Sequence, residues 1–242
     1  METGEPPLYN GAPTFCVFDD AAVAIVIEEE DGKINLNTAT PQLLERAFIG
    51  LGFTEKETTL LVESIATFRA GSSEPGRGAS LANTALDSKG GRFETVMELD
   101  QVSGFDPITF RLLIPFLTVH STSGGLDARS APPALFAALA GFSLDKVRAL
   151  MSAPFPNELN RNADLPPGIN YISDNEVYLI HTEALLFTGA LATMDTVVDL
   201  RPNSGNAFAI KEIRHGQPRY ATQLGEFIAE KRPGISNCTS LK

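Results

Sequence analysis

The chain has 242 residues, 43% hydrophobic and 20% charged, with a formal net charge of −11. That length fits one large domain or two small ones, and the apolar content is too high for a disordered chain. The carboxylate excess repels nucleic-acid phosphates and anionic lipid headgroups, so neither polyanion is an expected partner.

Residues 14–29 read as two strands. Thr14-Phe15-Cys16-Val17-Phe18 is rich in β-formers, Asp19-Asp20 interrupts it, and Val23-Ala24-Ile25-Val26-Ile27 resumes. Glu28-Glu29-Glu30-Asp31-Gly32 closes the pair with a turn. The pattern then becomes helical. Thr40-Pro41 supplies an N-cap and an N1 proline, and Leu43, Leu44, Ala47, Phe48 and Leu51 form one apolar stripe. Gly52 ends that helix, and Thr54 with Glu57 forms a capping box for the next, whose apolar face holds Leu60, Leu61, Ile65 and Phe68. Residues 71–91 read as a long loop rich in Gly, Ser and Ala.

A second helical pair follows, opened by the Thr95 and Glu98 capping box, stopped at Gly104 and restarted by Asp106-Pro107. A third runs from Pro133 to a stop at Gly141 and restarts at Ser143. One module thus occurs three times, with turns Gly52-Phe53-Thr54, Gly104-Phe105-Asp106 and Gly141-Phe142-Ser143. In each, glycine ends a helix, the aromatic fills the space between the pair, and an oxygen-bearing side chain caps the second helix.

Four prolines in residues 153–170 mark a linker. Beyond it the period drops to two. Residues 177–186, 191–200 and 207–214 read as an antiparallel meander, with turns at Gly189 and Asn203-Ser204-Gly205. After Gly216 the tail has one weakly amphipathic stretch, residues 224–229, and otherwise looks loose. Two front strands cannot form a stable sheet alone, so they are expected to join the C-terminal strands. The fold class is therefore α+β, an antiparallel sheet with an inserted all-helical domain. The expected divisions are residues 1–32 for the front strands, 33–153 for the helical insertion, 154–170 for the linker, 171–216 for the back strands and 217–242 for the tail.

No stretch approaches eighteen consecutive apolar residues. The two cysteines, Cys16 and Cys238, lie near opposite ends. They either pair in an oxidising compartment, if the fold brings the ends together, or remain as a buried Cys16 and a free Cys238.

Candidate chemistry is sparse. His181 and Glu183 share a strand face, which could suit a metal, but no third ligand is in view; His120 and His215 stand apart from them and from each other. Ser143 and Lys146 match a β-lactamase fragment without its partner motifs, so they read as a helix cap and a surface lysine. The carboxylates Asp19, Asp20 and residues 28–31 lack the spacing of a calcium loop and read as a solvated acidic turn; calcium is the one metal they could take. Paired helices can hold DNA phosphates at the second helix's N-terminus, here Thr54, Asp106 and Ser143, but Asp106 would repel a phosphate there. The sequence therefore assigns no catalytic, cofactor-binding or metal-binding residue, and the expectation is that the chain is not an enzyme.

Several ordered segments resemble one family. Asp31-Gly32-Lys33-Ile34-Asn35-Leu36-Asn37-Thr38-Ala39 is similar to a segment of general secretion pathway protein K, the large minor pseudopilin of type II secretion. Phe93-Glu94-Thr95-Val96-Met97-Glu98-Leu99 with Val102, Gly104 and Phe105 resembles its next motif, and Leu113-Ile114-Pro115-Phe116-Leu117-Thr118-Val119 the one after. Residues 125–139 are similar to its second Asn-x-Asn-Thr-Ala block, with Asp127-Ala128-Arg129-Ser130-Ala131 in its place. The resemblance spans residues 11–216. It implies a pseudopilin sheet interrupted by a SAM-like, helix-hairpin-helix block, and a place at the tip of a periplasmic pseudopilus. It also implies the minor pseudopilins I and J as partners, and membrane contact only through an N-terminal helix that these residues do not contain. Members carry an Asp-rich stretch linked to calcium where this chain reads Phe68-Arg69-Ala70-Gly71-Ser72, so no cofactor is carried over. A DNA-binding or DNA-uptake hairpin protein is the alternative reading.

Overall fold

The computed structural model describes residues 11–18, 20–70, 89–121, 125–151, 169–170, 176–201, 207–230 and 237–240. In chain order the elements are β1 (Thr14–Val17), β2 (Ala21–Glu29), β3 (Ile34–Asn35), α1 (Pro41–Gly50) and α2 (Glu55–Ala70). Then come α3 (Pro107–Leu113), β4 (Leu117–Thr118), β5 (Leu126–Asp127), α4 (Pro133–Ala140), α5 (Leu144–Met151) and β6 (Ile169–Asn170). The chain closes with β7 (Val177–Leu186), β8 (Leu191–Asp199), β9 (Ala209–Arg214), α6 (Ala221–Glu230) and β10 (Asn237–Ser240). Two compact units result. One combines Met1–Glu30 with Glu176–Lys242, and the other is Asp31–Asn175.

The first unit is a six-stranded sheet ordered β10-β1-β2-β7-β8-β9, antiparallel throughout. The front strands join the meander as expected: β2 pairs with β7 from Ala21 opposite Leu186 to Glu29 opposite Tyr178. Strands adjacent in the sheet are thus about 150 residues apart in sequence, which a hairpin turn cannot bridge.

The tail beyond Gly216 is not loose. Residues 221–230 form α6, whose Leu224 is fully buried against Phe15, Val17, Ala22 and Ala24, with Phe227 and Ile228 packed beside it. Phe15 stacks on Phe227 at 4.7 Å and meets Tyr220 edge-on at 5.9 Å. The apolar positions 224, 227 and 228 form a helical stripe that gains stability only on the sheet, because a ten-residue helix is marginal alone. β10 then adds to the β1 edge and places Cys238 opposite Cys16. Cys16 is disulfide-bonded. Since Cys238 is the one other cysteine in the sequence, the bond closes the chain ends and decides between the two cysteine readings.

The second unit is helical, around a core that includes Leu44, Phe48, Ile65, Phe68, Leu99, Leu113 and Phe136. The helix signals in the sequence act as read. Thr40 Oγ1 accepts from Leu43 N at 3.2 Å. Thr54 N donates to Glu57 Oε2 at 2.9 Å while Glu57 N donates to Thr54 Oγ1 at 3.3 Å. Asp106 Oδ1 accepts from Ile108 N and Thr109 N at 3.0 and 2.7 Å. Gly52, Gly104 and Gly141 sit at φ of 103°, 88° and 65°, a region where a Cβ is penalised. Phe53 and Phe142 pack on the core beside Phe48 and Phe136. The segment opened by Thr95 is a 3-10 helix, Val96–Gln101, ended when Val102 turns extended.

The Asn-Leu-Asn-Thr-Ala segment ties this unit together. Asn35 Oδ1 accepts from Asn37 N at 2.7 Å, and Asn35 Nδ2 donates to Ser121 O at 2.6 Å. Asn37 pairs through its amide with both backbone groups of Phe93, at 2.7 and 2.9 Å. Arg69, from the end of α2, donates to the carbonyls of Leu36 and Ala39. The Asp127 block repeats the same turn despite its different residues. Asp127 Oδ1 accepts from Arg129 N at 3.0 Å, and Ala131 N donates to Asp127 O at 3.0 Å, as Ala39 N does to Asn35 O at 2.9 Å. β3 pairs in parallel with β4, and β5 with β6. Residues 169–170 therefore belong to this unit and not to a linker, because Ile169 is buried in its core. Residues 71–88, 152–168 and 202–206, where the long loop, most of the linker and one meander turn were expected, lie outside the described residues.

Candidate functional site

The two faces of the six-stranded sheet differ in a way that inverts the usual pattern. Strand alternation puts Glu28, His181, Glu183, Asp195 and Arg214 on the face that α6 covers. The opposite face carries Val23, Ile25 and Ile27 from β2, Ile180 from β7, and Met194 and Val198 from β8. Across β2, β7 and β8 that open face has one charged residue, Glu29, at one end.

The charges on the covered face form a network, in which Glu183 Oε1 and Arg214 Nε are buried without a hydrogen-bond partner. His181 Nδ1 donates to Asp195 Oδ1 at 2.6 Å, and His181 Nε2 lies 3.5 Å from Glu183 Oε2. Glu183 Oε2 also accepts the backbone N–H of Arg219 at 2.7 Å and of Tyr220 at 3.0 Å. Tyr220 is the cap of α6, since its carbonyl accepts from Leu224 N, so a strand carboxylate sits on that helix's positive end. Arg219 Nη1 lies 2.6 Å from Glu28 Oε1, and Arg214 pairs with Glu212 at 3.0 Å and Asp195 at 3.5 Å. Burial pushes the Asp195 carboxyl up, but the His181 hydrogen bond and the Arg214 charge outweigh it and hold it below the usual carboxylate range. Burial alone pulls the Arg219 guanidinium down, and Glu28 more than restores it. Gly216 lies against this layer, and a Cβ there would sit 2.7 Å from Asp195 Oδ1 and 3.0 Å from His181 Nδ1.

This network holds the start of α6 on the sheet, and His181 and Glu183 are fully buried within it. The metal idea for His181 and Glu183 meets the same geometry: they share a face, but Glu183 Oε2 is committed to two backbone amides. Among the described residues, no group of three or more His, Cys, Asp or Glu is arranged to hold a metal ion. Asp195 and Arg219 were missed in the sequence. A hairpin register through Gly189 would have placed Asp195 opposite His181, whereas Arg219 arrives only after the chain has left β9 and returned. His120 belongs to the other compact unit, and His215 lines a recess on the sheet. Ser143 Oγ accepts from Lys146 N at 3.3 Å, as the capping reading required, and Lys146 Nζ lies over the Phe142 ring at 3.5 Å. Glu30 and Asp31 are buried, so the acidic turn is not a solvated run throughout; Asp19 lies outside the described residues.

The open face carries a recess, a cavity of about 570 Å³ lined by Thr182, Ala184, Ala192, Thr193, Met194, Ile213, Arg214 and His215. Its walls are β7, β8 and β9, and no carboxylate lines it.

No family profile matches the chain, and no curated protein does. Among solved structures it is similar to a chain of the GspK-GspI-GspJ complex from the type 2 secretion system of enterotoxigenic Escherichia coli. The match covers 88% of this chain and 85% of that one, with a TM-score of 0.56. The chain has a GspK-like fold. At 14% identity the likeness is one of architecture, and it takes in both units. The GspK-like fold agrees with the α+β class and helical insertion expected from the sequence. Among the described residues, no helix is long and apolar enough to cross a membrane.

Proposed function

We propose that the chain is a minor pseudopilin subunit of a type II secretion system, working on the periplasmic side of the inner membrane. Its role is to start or cap the pseudopilus tip through contacts with I-type and J-type minor pseudopilins. One observation carries this reading: a pseudopilin-like sheet whose neighbouring strands β2 and β7 are separated in sequence by a helical unit, matched over 88% of the chain in a solved secretion-system complex. The ordered motifs around Asn35, Glu98 and Asp127 support the same assignment, and their side chains hold turns in place. The role needs no catalytic residue and no cofactor, since assembly proceeds by surface complementarity.

The DNA-binding alternative has nothing in its favour here. Asp106 fills the amide positions at the start of α3 with its own carboxylate, where a phosphate would have to sit. The test is direct. The purified protein is mixed with the I-type and J-type pseudopilins of its own system and followed by sedimentation velocity. A complex at micromolar concentration is expected, and duplex DNA at low salt should remain unshifted. Absence of any complex would overturn the reading.

A further inference from the structure

We propose that β10 is a strap, fastened by the disulfide over the β1 edge of the sheet, and that without the bond β10 lets go and the bare edge pairs with the same edge of a second copy of this chain. This property is independent of the assembly role proposed above. The two edges of the sheet are guarded in different ways. An edge strand offers unpaired N–H and C=O groups to any other chain, and charged residues or a bulge blunt it. The β9 edge has both. Its sequence carries Lys211, Glu212 and Arg214, and its pairing with β8 shifts register between Val197 and Val198. β1 has neither. Thr14-Phe15-Cys16-Val17 is uncharged and rich in β-formers, and it pairs in regular register with β2. Its protection is the cover that β10 gives it.

What holds β10 is the bond. Asn237-Cys238-Thr239-Ser240 contains no large apolar residue to bury, and among the described residues it pairs with β1 alone. Four ladder positions offer little surplus over the backbone entropy of fixing four residues. The link from Cys238 to Cys16, its opposite number in register, confines the strand to that edge and removes most of that cost. β1 does not depend on β10 in return. It pairs with β2 from Thr14 opposite Ile25 to Val17 opposite Ala22, and Phe15 and Val17 pack with Leu224 of α6. Opening the strap therefore bares an intact edge. Closing it joins two thiols: the S–S bond forms, and two protons and two electrons pass to a disulfide-bearing oxidant, which leaves as a dithiol. Cys16 is 5% exposed, so an external thiolate has poor access to its sulfur and the closed state persists.

The test compares the oxidised 242-residue chain with a Cys16→Ser, Cys238→Ser double variant, and with a Cys16→Ser chain that ends at residue 236. Circular dichroism and amide exchange on β7 and β8 report whether the rest of the sheet stands, as it should. Exchange at residues 14–17 should quicken by about tenfold or more in both variants. Sedimentation velocity should show both as dimers at a concentration where the oxidised chain is monomeric. Thr14→Lys, which puts a charge on the bared edge, should return the double variant to a monomer. Exchange at residues 14–17 as slow in the double variant as in the oxidised chain would show that β10 holds without the bond, and overturns the strap. Quickened exchange with no dimer, a dimer that Thr14→Lys leaves intact, or loss of the whole sheet in both variants overturns it equally.

Discussion

Glu183 is the residue on which the attachment of α6 depends, and Glu183→Ala measures that dependence. The substitution removes the acceptor for two backbone N–H groups, those of Arg219 and Tyr220. It also strips the buried carboxylate from the helix's positive end. A hydrogen bond to a charged group contributes about 1.5–3 kcal/mol. Arg219 keeps Glu28 at 2.6 Å and is not left as an unpaired buried charge, so the larger penalty for a broken buried ion pair does not apply. A loss of about 3 kcal/mol follows, and in a unit of roughly 100 residues it lowers Tm by about 12–24 °C. Glu183→Gln keeps one acceptor oxygen and should lose about half as much. The assay is thermal unfolding by circular dichroism, joined to amide hydrogen exchange over residues 221–230. Protection there should fall first and furthest. Unchanged exchange in α6 with a Tm within a few degrees of wild type would show that the helix is held by Leu224 and Phe227 alone, and the capping argument would be wrong.

The carboxylates set the pH response. Asp195 and Asp199 are both held below the usual range. Burial opposes this for Asp195, and the His181 hydrogen bond and Arg214 charge outweigh it; for Asp199 the Arg201 hydrogen bond is the main cause. A depressed folded pKa stabilises above the unfolded value, near 3.9 for Asp, and that contribution is lost as pH falls through the folded one. The urea midpoint should therefore be flat from about pH 7 to 5 and fall below about pH 4, with a shallower fall in Asp195→Asn. Reducing the Cys16 disulfide opens a loop spanning nearly the whole chain, for which chain entropy predicts a loss of up to about 5 kcal/mol. A urea midpoint insensitive to dithiothreitol would contradict it. Gly50 and Gly52 should part company on substitution by Ala. A Cβ on Gly50 lands 2.4 Å from the Ala138 carbonyl oxygen, whereas Gly52 has open space and only an unfavourable φ. Chemical denaturation should show Gly50→Ala losing more than about 2 kcal/mol and Gly52→Ala about 1. Asp106→Ala should lower the denaturation midpoint in the same assay, through loss of the cap of α3.

Local rules made the helical unit legible, because its signals are short-range. Thr40, Thr54, Asp106 and Ser143 each cap within three residues, and each paired glycine-phenylalanine turn closes a hairpin between neighbours in sequence. The partner of β2 could be inferred only by elimination, since two strands need company. The tail was misjudged for a related reason. Leu224, Phe227 and Ile228 form a stripe too short to be a helix on its own, and only the Phe15 surface makes it one. Strand β10 has no such pattern, and its place comes from pairing with β1. The turn at Asp127 was legible once the oxygen of Asp127 is seen to do what the Asn35 amide oxygen does, since both accept from the residue two positions on.

The polarity of the sheet was the part that no periodicity could give. β7 alternates cleanly, but both of its faces contain apolar residues: Val177 and Leu179 on one, Ile180 and Ala184 on the other. The ordinary rule would turn the face with His181 and Glu183 toward water. It fails because those groups are satisfied by partners remote in sequence. Asp195 lies across the hairpin, Arg214 on the next strand, and the amides of Arg219 and Tyr220 beyond it. Buried charge is tolerable when it is paired, and here the Glu183 Oε2 pairing fastens the C-terminal helix, although Glu183 Oε1 and Arg214 Nε stay without a hydrogen-bond partner. Once that helix has taken the charged face, the aliphatic face is the one left open. A Glu183 variant that frees α6 should uncover the Phe15, Val17, Ala22 and Ala24 surface that Leu224 and Phe227 cover, read as increased binding of a hydrophobic dye relative to the wild type.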